Sequence, residues 1–305
     1  MCPNLCALGL DIGDHPEATF RNIESISLVP PPLEHLYLSS GKLFGFTKTM
    51  SRFPWCSLTY ITIRHIAISL RFWFSLLHST PSMQSIYVDV HQGSLDLDSE
   101  NLTERIVLQH LTSLFITITS ENRIDVNIMF TNIFLPSLHT LSVLSSWLEH
   151  QSIANVHNIL ETAPNLKTLA IGEYFLSPRS LWDFVPTIIN GLIGEKVPIW
   201  THNPHLTHLQ FVSIFLNGES IKFVEEAIPM FVRHIFSPDS EWLGLERSDC
   251  PIRTISIVNN ALEKISDATL SKLCKHISDS AGNVQVELTQ TSLACQEWEA
   301  RRIWG

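Results

Sequence analysis

Apolar residues return along this chain in a short phrase: one apolar residue, two variable ones, a second apolar, one variable, a third apolar. It reads Leu5, Leu8, Leu10 at the start and then Leu33, Leu36, Leu38. It recurs as Leu58, Ile61, Ile63; Met83, Ile86, Val88; Leu111, Leu114, Ile116; and Leu138, Leu141, Val143. Leu166, Leu169, Ile171, then Leu206, Leu209, Phe211, then Ile252, Ile255, Ile257 follow, and Val284, Val286, Leu288 form a weaker tenth copy. The last two apolar positions of each phrase alternate with a variable one, the mark of a short strand with one buried face. The first turns into the same core. From one phrase to the next the steps are 28, 25, 25, 28, 27, 28, 40 and 46 residues. Such a period belongs to stacked repeats, each too small to bury its own apolar face.

Helical patterns fill the intervals. Ile153, Val156, Ile159 and Leu160 fall on one helix face behind Ser152, a good N-cap. Further helices are predicted over 70–79, 179–192, 219–235 and 266–280, the last capped by Ser266 or Asp267. Pro81, Pro136, Pro164 and Pro204 stop a helix and lead into the next strand. Residues 292–304 read as a closing helix. The expected fold is α/β: a leucine-rich-repeat solenoid forming an irregular horseshoe, with parallel strands on its concave face and helices on its convex face. It is read as a single domain over 1–305 with nine to ten repeats. Residues 1–180 are regular, 181–258 carry longer repeats, and 259–305 hold the last repeat and capping helix. One rule of such repeats fails. The third position after the last apolar of each phrase is Asn only once, at Asn260, so other groups are expected to satisfy the buried backbone there.

Composition agrees with a long apolar core: 45% of the 305 residues are hydrophobic and only 16% are charged. The net charge of −10 repels phosphate backbones, so no nucleic-acid partner is expected. The six cysteines are widely spaced and show no disulfide framework or CxxC pair. No signal peptide opens the chain, and the most apolar stretch, 66–77, is too short for a bilayer. The expectation is a cytoplasmic or nuclear protein with no membrane association. The sequon at Asn101 is read as chance.

Phrases such as Pro164-Asn-Leu-Lys-Thr-Leu-Ala-Ile and Pro136-Ser-Leu-His-Thr-Leu-Ser-Val resemble the repeat region of the F-box and leucine-rich-repeat proteins of basidiomycete fungi, over roughly residues 3–290. That resemblance implies the substrate-recognition part of an SCF ubiquitin ligase adaptor. Members usually carry an F-box near the N-terminus. No such segment is found here; the chain opens inside the first repeat, at Cys2-Pro3-Asn4-Leu5. SCF-adaptor docking is therefore expected only if an F-box lies upstream. The alternative is a stand-alone scaffold or inhibitor unconnected with ubiquitin. An uncapped first strand, Leu5–Leu10, is expected to leave an exposed edge.

Enzyme chemistry finds little support. Nucleophile-elbow, phosphate-loop and dinucleotide motifs are missing, so no catalytic residues and no cofactor are expected. His202, His205 and His208 are spaced by three, but Pro204 breaks any helix that would align them, and no metal site is expected. Asp96 and Asp98 read as a solvated loop. The candidate site is instead the concave face. Strand side chains alternate, which places Gly9, Tyr37, Thr62, Tyr87, Phe115, Ser142, Ala170, Gln210 and Ser256 in one column away from the core. His35, Tyr60 and His208 fall in the next. Tyr37, Tyr60, Tyr87 and Phe115, with His35 and His208, are the expected contacts to a protein partner, since Tyr is enriched at binding hot spots.

Overall fold

The computed structural model describes residues 6–11, 33–39, 45–46, 55–68, 70–91, 105–119, 129–145, 156–173, 203–213, 251–259 and 285–289, together with Ser271 and Lys275. Within these the protein is mixed α/β and its sheets are parallel. It divides into two compact units, Met1–His139 and Thr140–Gly305.

In the first unit five strands pair in parallel in the order of the chain. They are β1 (Ala7–Asp11), β2 (His35–Ser39), β4 (Tyr60–Ile68), β5 (Ser85–His91) and β7 (Ser113–Thr119). The short strand β3 (Gly45–Phe46) pairs with the far end of β4, while β6 (Ile106–Val107) and β8 (Ile133–Phe134) pair with each other. In the second unit β9 (Thr140–Ser145), β10 (Thr168–Glu173), β11 (His208–Ser213), β12 (Thr254–Asn259) and β13 (Gln285–Thr289) follow the same rule. All ten phrases, the weak tenth included, thus become strands.

Register sets phrase against phrase. Leu36 pairs with Leu8 and Ile61, Ile86 with Ile61 and Leu114, and Leu209 with Leu169 and Ile255. Among the residues whose side chains are described, these apolar positions are buried from Leu36 to Ile255 and continue one another in rows from strand to strand. The first apolar of the phrase is buried in every described copy, from Leu33 through Leu58, Met83, Leu111, Leu138, Leu166 and Leu206 to Ile252. A slip by one residue would turn every such row to the opposite face.

Entry to each strand is controlled by one device. Thr80-Pro81-Ser82-Met83, Leu135-Pro136-Ser137-Leu138, Ala163-Pro164-Asn165-Leu166 and Asn203-Pro204-His205-Leu206 each close with the fourth N–H donating to the first carbonyl, at 3.0–3.2 Å. Proline at the second place pre-sets the backbone of such a turn and has no N–H to leave unpaired. A single 3-10 turn, Trp55–Ser57, does the same ahead of Leu58 without proline. Before Pro136 the chain runs as β8, not as a helix.

A second device ties successive repeats. The carbonyl of Glu34 accepts from Thr59 N and Tyr60 N, that of Thr59 from Gln84 N and Ser85 N, and that of Gln84 from Thr112 N and Ser113 N. Lys167 and Thr207 act in the same way in the second unit. One carbonyl thus satisfies two N–H groups at the start of the next strand. This backbone ladder joins neighbouring repeats at the start of these strands.

The helix predicted over 70–79 is present as α1 (Leu70–Ser79). It buries Phe72, Trp73, Leu76 and Leu77, the spacing of one apolar stripe. Phe72 meets Trp55 edge-on with ring centroids 6.4 Å apart. The indole N–H of Trp73 donates to the Met129 carbonyl at 2.9 Å, which relieves the cost of burying that donor. Thr80, fully buried, closes the helix by donating its hydroxyl to the Leu76 carbonyl at 2.8 Å. The pattern read over 153–160 is described as a shorter helix, α2 (Val156–Glu161). The helices expected over 179–192 and 219–235, most of 266–280, and the closing helix over 292–304 lie outside the described residues.

The strands run longer than the phrase demands. β4 has nine residues, and its register to β5 advances by three positions from Ile63 to Ile66 while β5 advances by two, from Val88 to Val90. One extra residue on one strand is a bulge, which bends and twists that strand. Asn132, with φ of 59°, makes the turn into β8, a conformation asparagine tolerates better than most residues.

The end of α2 is closed by a residue from the following repeat. The Asn203 side-chain amide donates to the Ala163 carbonyl at 2.7 Å and to the Leu160 carbonyl at 3.2 Å, and the residue is fully buried. Asn203→Ala removes the only amide reaching both carbonyls among the described residues. It is expected to destabilise the second unit by ~1–2 kcal/mol, the loss of two side-chain hydrogen bonds to carbonyls that keep their backbone donors, Ala163 N and Leu166 N. Urea denaturation followed by circular dichroism measures this; an unchanged midpoint would show that Asn203 carries no load.

Candidate functional site

The face of the first unit's sheet opposite the buried rows carries the aromatic residues singled out from the sequence. One row across the strands is Gly9, Tyr37, Thr62, Tyr87 and Phe115; the next is Ala7, His35, Tyr60, Ser85 and Ser113. Alternation along each strand puts both rows on one side.

The side chains interact along the rows, as neighbours on adjacent strands do. His35 and Tyr60 stack with centroids 4.6 Å apart and planes within 4°. The Tyr60 hydroxyl donates to Gln84 Oε1 at 3.0 Å. Tyr87 lies 6.3 Å from Phe115 with the rings tilted by 33°, and the Arg64 guanidinium sits 5.7 Å from the Tyr87 centroid. A cation over a ring face holds that ring in place. Gln84 and Arg64 are contributions that composition and spacing did not reveal. Gln84 sits at a variable position just ahead of β5, and Arg64 lies where the bulge begins.

Exposure divides the set. His35, Tyr37, Tyr60 and Tyr87 are half-buried, whereas Phe115 is only 5% exposed. Phe115 supports Tyr87 from the side and offers little surface of its own. Small residues beside it, Ser85, Ser113 and Thr117, are buried as well. In a parallel sheet with strands about 4.8 Å apart, short side chains lie below the level of tall neighbours. The accessible part of the two rows is therefore made by His35, Tyr37, Tyr60, Thr62 and Tyr87, with Ala7 and Gly9 at the β1 end.

In the second unit the same column carries no aromatic residue and is buried: Ser142, Ala170, Gln210 and Ser256 are each at most 2% exposed. His208, the last of the expected contacts, belongs to this unit and makes no part of the aromatic rows. It is half-buried, and its Nε2 lies 2.6 Å from Ser256 Oγ. Ser256 Oγ in turn lies 3.4 Å from Glu287 Oε2, and the Gln285 amide donates to Glu287 Oε1 at 2.7 Å. Burial pushes the His208 imidazole below its ordinary range, and the nearby Glu287 carboxylate opposes that shift. The hydroxyl stands between imidazole and carboxylate. In a nucleophilic triad the imidazole would occupy the middle. His205 is exposed in the Pro204 turn, and His202 and the 92–104 loop lie outside the described residues.

Cys6 and Cys56 are free and exposed. Among the described residues no group of three or more His, Cys, Asp or Glu side chains could hold a metal ion, and no helix is long and apolar enough to cross a membrane. In comparisons with known proteins, no protein-family model matches the chain and no curated protein matches its sequence.

Proposed function

We propose that this chain is a leucine-rich-repeat solenoid and that the aromatic face of its first unit binds an extended segment of a protein partner. Phrase-to-phrase register supports the solenoid: each repeat adds one parallel strand and shares its apolar rows with the next. The observation that carries the binding reading is the ordered set of half-buried rings, His35 stacked on Tyr60 and Tyr87 held by Arg64, on the face that the core does not use. Rings already fixed by neighbours lose little freedom when a partner covers them. Thr62 stands between Tyr37 and Tyr87 in its row, so these two rings rise on strands about 9–10 Å apart. One ring of a partner, aromatic or proline, fits that interval.

Selection of a random-peptide phage library on the full chain tests this reading. Enriched peptides with aromatic or proline residues at alternate positions are expected; no enrichment over an unrelated protein would contradict it. The resemblance to F-box proteins adds a narrower version, in which the segment belongs to a ubiquitin-ligase substrate. That version stands if the transcript's 5′ end encodes an F-box that binds the SCF adaptor. It falls to the stand-alone scaffold if the native product shows no adaptor binding.

A further inference from the structure

His208, Ser256 and Glu287 lie on three successive strands of the second unit, β11, β12 and β13. Register explains their meeting. His208 pairs with Thr254, and Gln210 pairs with Ser256, which pairs with Glu287. Ser256 is buried at 2% exposure and stands between the other two, 2.6 Å from the imidazole and 3.4 Å from the carboxylate.

A hydroxyl has one proton, and it can point only one way. With His208 neutral and its proton on Nδ1, Ser256 donates to Nε2 across the shorter distance. With His208 charged, Nε2 carries a proton and must donate, so Ser256 accepts and turns its own proton to Glu287. That second bond spans 3.4 Å, beyond the usual 2.5–3.0 Å of an O–H donor. Ser256 is buried and His208 half-buried, so an imidazolium held there gains by opening to water.

Among the described residues the rest of these two rows is uncharged. On β10, Thr168 and Ala170 pair with His208 and Gln210. Lys167, Arg253 and Gln285 are exposed, as is His205 in the preceding turn. Glu287 is the one carboxylate in these rows among the described residues.

We propose that His208, Ser256 and Glu287 form a protonation-driven clasp that holds β11, β12 and β13 together when the imidazole is neutral and releases the β13 edge when it is charged. The pH dependence follows. A base depressed in the folded state gives its full stabilisation above the ordinary imidazole range. That stabilisation is lost as pH falls below this range towards the folded value. The clasp is independent of the aromatic face, so a failure of one leaves the other standing.

Amide hydrogen exchange of the full chain tests it, read at about pH 7.5 and about pH 5.5, either side of the imidazole range, with intrinsic exchange rates corrected. Protection of Gln285–Thr289 is expected to fall several-fold at the lower pH, in the direction set by the depressed imidazole. In His208→Gln, which keeps a hydrogen-bonding group but cannot titrate, the pH dependence is expected to vanish. Equal protection at both pH values in the wild type, or the same loss in His208→Gln, would overturn the clasp. Should that variant not fold, the His208 titration followed by ¹⁵N NMR decides. Glu287→Gln is expected to lower its midpoint further, and an unchanged midpoint overturns the coupling.

Discussion

Replacing Trp73 with alanine is expected to cost the first unit ~3–5 kcal/mol, the range for truncating a large buried aromatic. Trp73 is 1% exposed and fills the interior beside α1, next to Phe72. It also satisfies the Met129 carbonyl through its indole N–H. Truncation therefore leaves a cavity and removes a buried donor together. Trp73→Phe separates the two effects: the ring stays in part, the hydrogen bond is lost, and a smaller cost of ~1–3 kcal/mol is expected. Hydrogen exchange of the β4 and β5 amides reads the first unit directly. Protection equal to the wild type in Trp73→Ala would mean that α1 does not hold this sheet.

The paired substitution Tyr60→Ala with Tyr87→Ala is expected to weaken binding of a selected peptide by at least tenfold while leaving the fold intact. Tenfold corresponds to about 1.4 kcal/mol, below what a central aromatic hot spot commonly contributes. Neither ring belongs to the buried rows; both are half-buried on the opposite face. Tyr60 carries the His35 stack and the Gln84 hydrogen bond, and Tyr87 carries the Arg64 contact. Removing both dismantles the two ordered ends of the patch. Isothermal titration against wild type and variant gives the affinity, and circular dichroism shows whether the fold persists. Unchanged affinity in a folded variant would move the binding surface elsewhere. Tyr60→Phe offers a finer test: it keeps the stack, frees Gln84, and is expected to lose only a few-fold.

The strand positions were legible because they rest on local patterns. Alternation and the phrase spacing placed every strand from β1 to β13 that belongs to a repeat, and helical spacing placed α1 at its observed bounds. The prolines announced the turns, since their effect on the backbone needs no knowledge of the rest of the fold. The short strands β3, β6 and β8 gave no such signal, being two residues each.

Side-chain partnerships were less legible. Which face a residue occupies follows from alternation, but how deep it lies depends on the height of its neighbours. Phe115 illustrates this: its column was right, and its burial came from its setting between Tyr87 and the surrounding sheet. Asn203 reaches a helix end some forty residues earlier, a relation that no local pattern along the chain carries. Glu287 would have joined the column behind Ser256 had the tenth phrase been extended by the same alternation, because the two residues are in register.

The most direct test of the central claim is photo-crosslinking from Thr62. This position is half-buried and lies between Tyr37 and Tyr87 in the proposed surface. A benzophenone side chain placed there is expected to capture a peptide selected on the full chain, while the same group at exposed Val107 is expected to capture none. Crosslinking from Val107 and not from Thr62 would contradict the assignment of the aromatic face as the binding surface.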